Sequence, residues 1–321
     1  MRDTILQLMS QRQGEYISGE ELSRRLGVSR TAVWKHIQAL REEGYVIDSQ
    51  PRSGYRLLER PDLLLPGEVQ AGLQTHVFGR QFHHYAEVGS TNDVARELAN
   101  EGAPEGTVVV AEKQTRGRGR LGRNWFSPSG QGIWFSVILR PPLAPSEVTK
   151  ITLVAAVAVA RALRGLTGLD VRIKWPNDLL VGGKKLVGIL TQLNAEVEKI
   201  NYVVIGIGVN ANVDMTAFPP EVRTIATSIR VELGQPFSRV KILQRILEEL
   251  ETAYQSFIHG GFPSLLQEWK QLSYTLGRWV KVTQPTEEVE GLATDVDEDG
   301  CLVLRLADGS CRRVIAGDVS F

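Results

Sequence analysis

Apolar and polar positions follow two different periods along this chain, and the points where the period changes mark its elements. In "SGEELSRRLGVSRTAVWKHIQALREEG", residues 18–44, apolar side chains recur every three or four positions, the spacing that gathers them on one face of a helix. Ser18 stands three residues ahead of Glu21, a capping-box start, and Gly27 ends the first helix. Ser29 caps a second helix with Val33, Ile37 and Leu40 along one face and Gly44 at its end. "YVIDSQPRSGYRLL" then shows two short strand patterns around a Pro/Ser/Gly turn, closing a unit over residues 1–60. "ERPDLLLPGE" sets two prolines around leucines and predicts a linker over 61–66 that partly docks.

From 67 to 272 the strand patterns "TVVVAE", "IWFSVIL", "VRIKW", "KLVGIL" and "YVVIGIGV" mix with the helical "STNDVARELANEG", "SEVTKITLVAAVAVARALRGL" and "RVKILQRILEELETAYQSFI". "VRIKWPNDLLV" and "KKLVGILTQL" meet at Gly182-Gly183, a two-residue hairpin signal, so the sheet is expected to be mixed and largely antiparallel. That makes the fold α+β and excludes a doubly wound dinucleotide fold. Over 273–321, short alternating strands separated by turns predict a small β-barrel.

Composition bounds what these elements do. With 321 residues, 42% hydrophobic and 23% charged, there is chain enough for two or three packed domains. Lys+Arg 37 against Asp+Glu 37 leaves no global pull towards polyanions, so any such site is a local concentration of charge. No signal-peptide pattern opens the chain, and "ITLVAAVAVARAL" is too short, and too soon met by Arg161, to cross a bilayer; a soluble, cytoplasmic protein without membrane contact is expected. Cys301 and Cys311 flank a turn at Asp308-Gly309 that would set Leu306 opposite Cys311. The sulfurs would then lie about 15 Å apart, too far to bridge, which suits a reducing compartment.

"KQTRGRGRLGRNWFSP", Lys113 to Pro128, is such a local concentration, with five cations and three glycines between two apolar strands. It lacks the Lys-Ser/Thr that a phosphate-binding P-loop needs, and it sits in a core rather than in a low-complexity tail. Two readings stay open on the residues alone: a solvated surface loop, or a mobile loop closing on a ligand with two or more negative groups. Lys185 in "KKLVGIL" is by itself a snorkelling strand lysine or a ligand contact. Asn177 and Asp178 in "KWPND" are ordinary turn formers or site residues, and "GSTND" is an ordinary helix N-cap or more.

Two resemblances sharpen this. The first 60 residues resemble a winged helix-turn-helix, which would turn Ser29, Arg30, Thr31, Trp34 and Lys35 towards DNA, although ten Lys/Arg against eight Asp/Glu there is only a slight positive excess. "GRGRLGRNWFSP", "KWPNDLLVGGKKLVGIL" and "GIGVN", in this order, resemble the biotin protein ligases, and the DNA-binding unit ahead of them resembles the bifunctional type that is also the biotin operon repressor. The resemblance spans the whole chain. It implies a class II synthetase-like central domain and an Src-homology-3-like terminal barrel. It implies catalytic roles for Arg118, Arg120 and Lys185. Biotin contacts would come from Ser90, Thr91, Asn92, Gln114, Arg118, Gly119, Arg120, Trp125, Lys185 and Gly188. ATP and Mg²⁺ would be held by Arg118, Arg120, Arg123, Asn177, Asp178 and Asn210, with Asp178 on the metal. Biotin would be activated as biotinyl-5′-adenylate and transferred to a lysine of a biotin carboxyl carrier protein. Operator DNA would be bound by a ligand-promoted homodimer. Some relatives place a tryptophan over the adenine after "GxGxN"; here the segment has none, which leaves Phe218 or Ile225 as apolar candidates. Three other functions remain compatible: a repressor that merely senses biotin, a ligase without DNA regulation, and a lipoate or octanoate transferase of related fold.

Overall fold

The computed structural model describes residues 1–12, 14–197, 199–285 and 287–321. They form two compact units, Met1–Leu63 and Leu64–Phe321.

In the first unit, α1 (Arg2–Gln11), α2 (Gly19–Leu26) and α3 (Arg30–Glu42) precede an antiparallel pair, β1 (Val46–Gln50) and β2 (Gly54–Glu59). Ser18 Oγ accepts from Glu21 N at 3.0 Å, Gly27 ends α2 in the left-handed region, and Ser29 Oγ accepts from Ala32 N at 3.2 Å. The predicted caps and stops therefore set both helices. Helix α1 is not marked in the sequence by a cap; it forms because Ile5, Leu6 and Met9 share one buried face with Leu22, Val33, Ile37 and Leu40. Ser29, Arg30, Thr31, Trp34 and Lys35 are all exposed at the start of α3. Arg30 is drawn to Glu20 at 2.5 Å, and Trp34 is 51% exposed.

The second unit opens with Leu64, fully buried, whose N–H donates to Glu112 Oε1 at 2.8 Å. Helix α4 (Pro66–Gly72) follows directly, with proline in its first turn. A seven-stranded sheet is built from β3 (Phe82–Val88), β4 (Val108–Gln114), β5 (Ile133–Leu139), β6 (Arg172–Lys174), β7 (Asp178–Val181), β8 (Lys184–Ala195) and β9 (Ile200–Val209). Its order is β3-β4-β5-β9-β8-β7-β6; β3 and β4 run parallel and the remaining neighbours antiparallel, the mixed sheet expected. Gly182-Gly183 forms the hairpin between β7 and β8.

The pleat sends alternate residues to opposite faces. Val109, Ile138 and Val204 pack against Ala95 and Ala99 of α5 (Thr91–Asn100). Val108, Val110, Val137 and Ile205 join the main core with α6 (Val148–Thr167), α8 (Arg239–Ile258) and α9 (Phe262–Leu272). Short α7 (Ile229–Leu233) lies between β9 and α8 in sequence.

In "VRIKWPNDLLV" the chain turns at Trp175–Asn177, which separates the antiparallel pair β6 and β7. Trp175 N donates to Thr275 Oγ1 at 2.9 Å and its indole to Gly300 O at 3.1 Å, so the turn is pinned to the terminal segment. That segment is an antiparallel sheet of β10 (Trp279–Thr283), β11 (Glu288–Val296), β12 (Leu302–Arg305), β13 (Cys311–Val314) and β14 (Asp318–Ser320), in the order β13-β12-β11-β10-β14. Where a barrel was predicted, the pairings describe a sheet with β13 and β14 at its edges. Cys311 pairs with Arg305 rather than Leu306, because Leu306 N donates to Ser310 O at 2.9 Å and the turn holds three residues between them. Both cysteines are free thiols, Cys301 buried and Cys311 exposed. Among the described residues no helix is long and apolar enough to cross a membrane.

Candidate active site

The sheet's β8 and β9, the start of α5 and the basic loop surround a cavity of about 220 Å³. One end is apolar. Trp125 lies against Gly188 and Gly208, where a Cβ would come within 2.8 Å and 2.4 Å of its ring, so glycine at both strand positions lets the indole pack flat on the sheet. The Trp125 Nε1–H is buried there without a protein acceptor among the described residues.

Residues at the start of α5 form the polar corner of this end. Ser90 occupies the N-cap position, yet its hydroxyl makes no capping bond and lines the cavity instead. Gln114 Oε1 accepts from Thr91 N at 2.8 Å and Thr91 Oγ1 at 3.1 Å, and Gln114 Nε2 donates to Ser127 Oγ at 3.0 Å. The Asn92 amide is engaged within the protein, donating to Gln192 Oε1 at 3.1 Å and Leu190 O at 3.4 Å. Ser136 Oγ lies 2.7 Å from Asn92 Oδ1 and 2.8 Å from Thr91 Oγ1.

The other end is cationic. The loop is a narrow hairpin, with Trp125 N donating to Gly117 O at 2.8 Å and Gly119 N to Arg123 O at 2.7 Å. Its arginines reach three different segments. Arg118 pairs with Asp93 of α5 at 2.9 Å. Arg120 donates to Asn177 Oδ1 at 2.8 Å and to Gly317 O at 3.2 Å, and Arg123 meets Asp318 at 2.5 Å. Lys185 does not snorkel: its Nζ is 2.7 Å from Asp178 Oδ1, an ion contact without hydrogen-bond alignment, and 5.2 Å from the Trp125 ring centroid. Burial pulls the Arg120 guanidinium below its ordinary pKa, an effect that the carboxylates of Asp318 and Asp178 oppose.

Asn177 holds Ile189 O at 2.8 Å besides Arg120. Asn210 is buried and its amide donates to Thr227 O at 3.0 Å, so the backbone of its own loop uses that donor. Every predicted site residue outside the DNA-binding unit therefore lines this one cavity, Ser90, Arg123, Gly188 and Asn210 included. Phe218 and Ile225 line it too, the first buried and the second 60% exposed.

Asp318 is a cavity residue that escaped the sequence reading. Half-buried Lys174 in "IKWPND" is not among the lining residues; burial lowers its ammonium pKa, Asp178 and Asp318 raise it, and Lys185 lowers it further. Asp318 comes from the far C-terminus, 195 residues beyond Arg123 (318 − 123), and nothing in the local pattern "GDVSF" marks it.

Comparisons with known proteins place this geometry. Residues 86–210 match the biotin/lipoate A/B protein ligase family, 2–56 an HTH domain and 275–321 the biotin protein ligase C terminal domain. The chain is 41% identical over 319 residues to the bifunctional ligase/repressor BirA of Bacillus spizizenii, covering 99% of this chain and 98% of that one. With the protein of that name from Escherichia coli K12 it shares 33% identity over 307 residues, 96% and 93% of the two chains. The biotin protein ligase from Aquifex aeolicus, solved in complex with biotin and ATP, superposes with a TM-score of 0.65 at 27% identity, covering 75% of this chain and 98% of that one. The chain belongs to the bifunctional ligase/repressor BirA family of biotin protein ligases.

Proposed function

We propose that this protein condenses biotin with ATP in the cavity, transfers the biotinyl group to a lysine of a biotin carboxyl carrier protein, and represses biotin genes through its helix-turn-helix unit. The carrying observation is the convergence of Arg118, Arg120, Arg123 and Lys185 on one end of a cavity whose other end is walled by Trp125 and floored by glycines. A bicyclic acid fits the apolar end with its carboxylate towards the cations.

The first step brings a carboxylate against the ATP α-phosphate. One pair of unit charges at about 4 Å repels by roughly 1 kcal/mol in water and several times more in a drier site. Arg118, Arg120 and Lys185 lower that barrier by sitting where the negative charge gathers. The carboxylate oxygen bonds to the α-phosphorus, the bond to the β-phosphate oxygen breaks, and pyrophosphate leaves. In the second step a neutral lysine amine of the carrier attacks the acyl carbon, AMP leaves with the bond electrons, and the amine releases a proton to solvent. Arg120 and Arg123, held across the cavity by Asn177 and Asp318, exclude water from the mixed anhydride between the steps.

The donor set suits Mg²⁺. Among the described residues no cluster of three or more His, Cys, Asp or Glu could hold a metal alone, whereas Asp178 and Asp318 both line the cavity. One or two carboxylates, with phosphate oxygens and water completing the shell, is how proteins hold this ion beside ATP. When bound, Mg²⁺ neutralises polyphosphate charge. Asp178 is the residue we assign to it.

The ligand-promoted homodimer and the cytoplasmic location belong to the same proposal. A lipoate or octanoate transferase is less well supported, because the match over 275–321 is to the biotin protein ligase C terminal domain. Incubation with biotin, MgATP and a carrier domain is expected to add the mass of one biotin to the carrier. A gain with lipoate and none with biotin would refute the assignment.

A further inference from the structure

Beneath the apolar end of the cavity runs an unbroken chain of polar side chains: Ser127, Gln114, Thr91, Ser136, Asn92 and Gln192. Its fourth member, Ser136 on β5, is fully buried and does not line the cavity. A hydroxyl in such a place costs stability unless it is bonded, so its partners define its role.

Hydrogen inventory fixes the sense of the chain. Ser136 has one hydrogen and two oxygens in reach, Asn92 Oδ1 at 2.7 Å and Thr91 Oγ1 at 2.8 Å. An amide oxygen only accepts, and no other protein donor reaches Asn92 Oδ1 among the described residues, so the Ser136 hydrogen goes to Asn92. The single Thr91 hydroxyl hydrogen then has Gln114 Oε1 at 3.1 Å or the Ser136 oxygen as its acceptor. It is used within the protein either way. Thr91 Oγ1 is thereby left to meet a ligand as an acceptor. Gln114 Nε2 spends one hydrogen on Ser127 Oγ and keeps the other. An acceptor beside a donor complements a ring N–H beside a ring C=O.

We propose that Ser136 is a positioning residue for the ring-binding end of the site, fixing Asn92 and Thr91 so that the cavity presents this acceptor and donor pair to a cyclic urea. The inference rests on the biotin assignment above. Asn92 Oδ1 is pressed against β9, where a Cβ on Gly206 would lie 2.0 Å from it, so the amide has no room to find another donor. Without the serine hydroxyl the oxygen is buried and unpaired, so the bond that fixes the Asn92 amide is lost and the adjacent Thr91 is no longer held.

Biotin-dependent ATP–pyrophosphate exchange, titrated separately in biotin and in ATP, tests this. Ser136→Ala is expected to raise KM for biotin about tenfold to a hundredfold, the effect of leaving one buried polar atom unpaired, with kcat and KM for ATP within about twofold. Ser136→Cys, similar in size with a weak S–H donor, should fall between. Gln192→Ala, at the half-buried end of the chain, should raise KM for biotin by roughly two- to fivefold. In a double-variant cycle, Ser136→Ala added to Thr91→Val should cost much less than the two losses summed. Unchanged KM for biotin in Ser136→Ala overturns the proposal, as does an equal rise for biotin and ATP. Should Ser136→Ala fail to fold, unchanged KM in both Ser136→Cys and Gln192→Ala overturns it. Absence of biotin-dependent exchange in the wild-type protein would instead sink the biotin assignment itself.

Discussion

Replacing Arg120 with alanine should let the intermediate escape more than it prevents its formation. The guanidinium is held by Asn177 Oδ1 at 2.8 Å, by Gly317 O at 3.2 Å and by Asp318 at 3.8 Å, so one side chain ties the basic loop to the β6–β7 turn and to β14. The hairpin's own bonds, Trp125 N to Gly117 O and Gly119 N to Arg123 O, do not involve that side chain and should survive. What is lost is closure. A charge-assisted hydrogen bond contributes about 1.5–3 kcal/mol. At 1.4 kcal/mol per tenfold, adenylate should dissociate roughly 10 to 150 times faster. Formation should suffer less, since Arg118 and Lys185 still line the cavity and, on the proposed function, would still meet the reacting carboxylate. The assay is a chase of labelled biotinyl-adenylate, together with labelling of lysines on an inert bystander protein. Arg120→Lys should restore little, because an ammonium cannot fork between an amide oxygen and a carbonyl as the guanidinium does. Retention within about twofold of wild type would refute the lid.

Lys185→Ala should slow biotin-dependent ATP–pyrophosphate exchange by the roughly 2–4 kcal/mol typical of one preorganised donor, and an unchanged rate would return Lys185 to the surface. Glu112 gives a pH prediction: burial raises its pKa, but His84, Arg239 and the Leu64 N–H together hold it below the ordinary 4.5. A depressed carboxyl pKa stabilises the fold above that value and ceases to do so as pH falls through the folded value, so the wild-type melting temperature should drop more steeply in acid than that of Glu112→Gln. Parallel curves for the two proteins would contradict this. In the DNA-binding unit, Arg30→Ala with Trp34→Ala should abolish a gel shift on an inverted-repeat operator and leave ligation intact, while biotin plus ATP should tighten wild-type binding. No preference for biotin-gene DNA over random duplex in either ligand state would end the regulatory reading.

The parts legible in the sequence are those written in short-range chemistry. Ser18, Gly27 and Ser29 mark helix ends because capping uses atoms within four residues, and Gly182-Gly183 marks a hairpin for the same reason. Central strands were legible as apolar runs such as "IWFSVIL" and the terminal ones as short alternating segments, and the loop's five cations were conspicuous on composition alone. What stayed hidden depends on distant partners. Asp318 joins the site because the terminal segment is packed beside the β6–β7 turn, held there by Trp175. Ser136 reads as one polar position inside the buried run "IWFSVIL"; only the approach of α5 gives its hydroxyl two partners. The same limit hides what pins the turn at Trp175, where the partner is Thr275, a hundred residues on.

Charge neutrality over the chain and a polyanion site within it are reconciled by the way the site's cations are paired. Arg118 rests on Asp93, Arg123 on Asp318 and Lys185 on Asp178, each carboxylate arriving from a different segment. Four cations left unpaired around 220 Å³ would repel one another by about 4 kcal/mol per close pair at an effective dielectric near 20, and would splay the loop. The carboxylates remove that cost. On the proposed function, phosphate oxygens of ATP would take the place of these carboxylates at the cations. The net gain of binding is smaller than four bare cations would suggest, since each phosphate contact replaces an ion pair rather than filling an empty one.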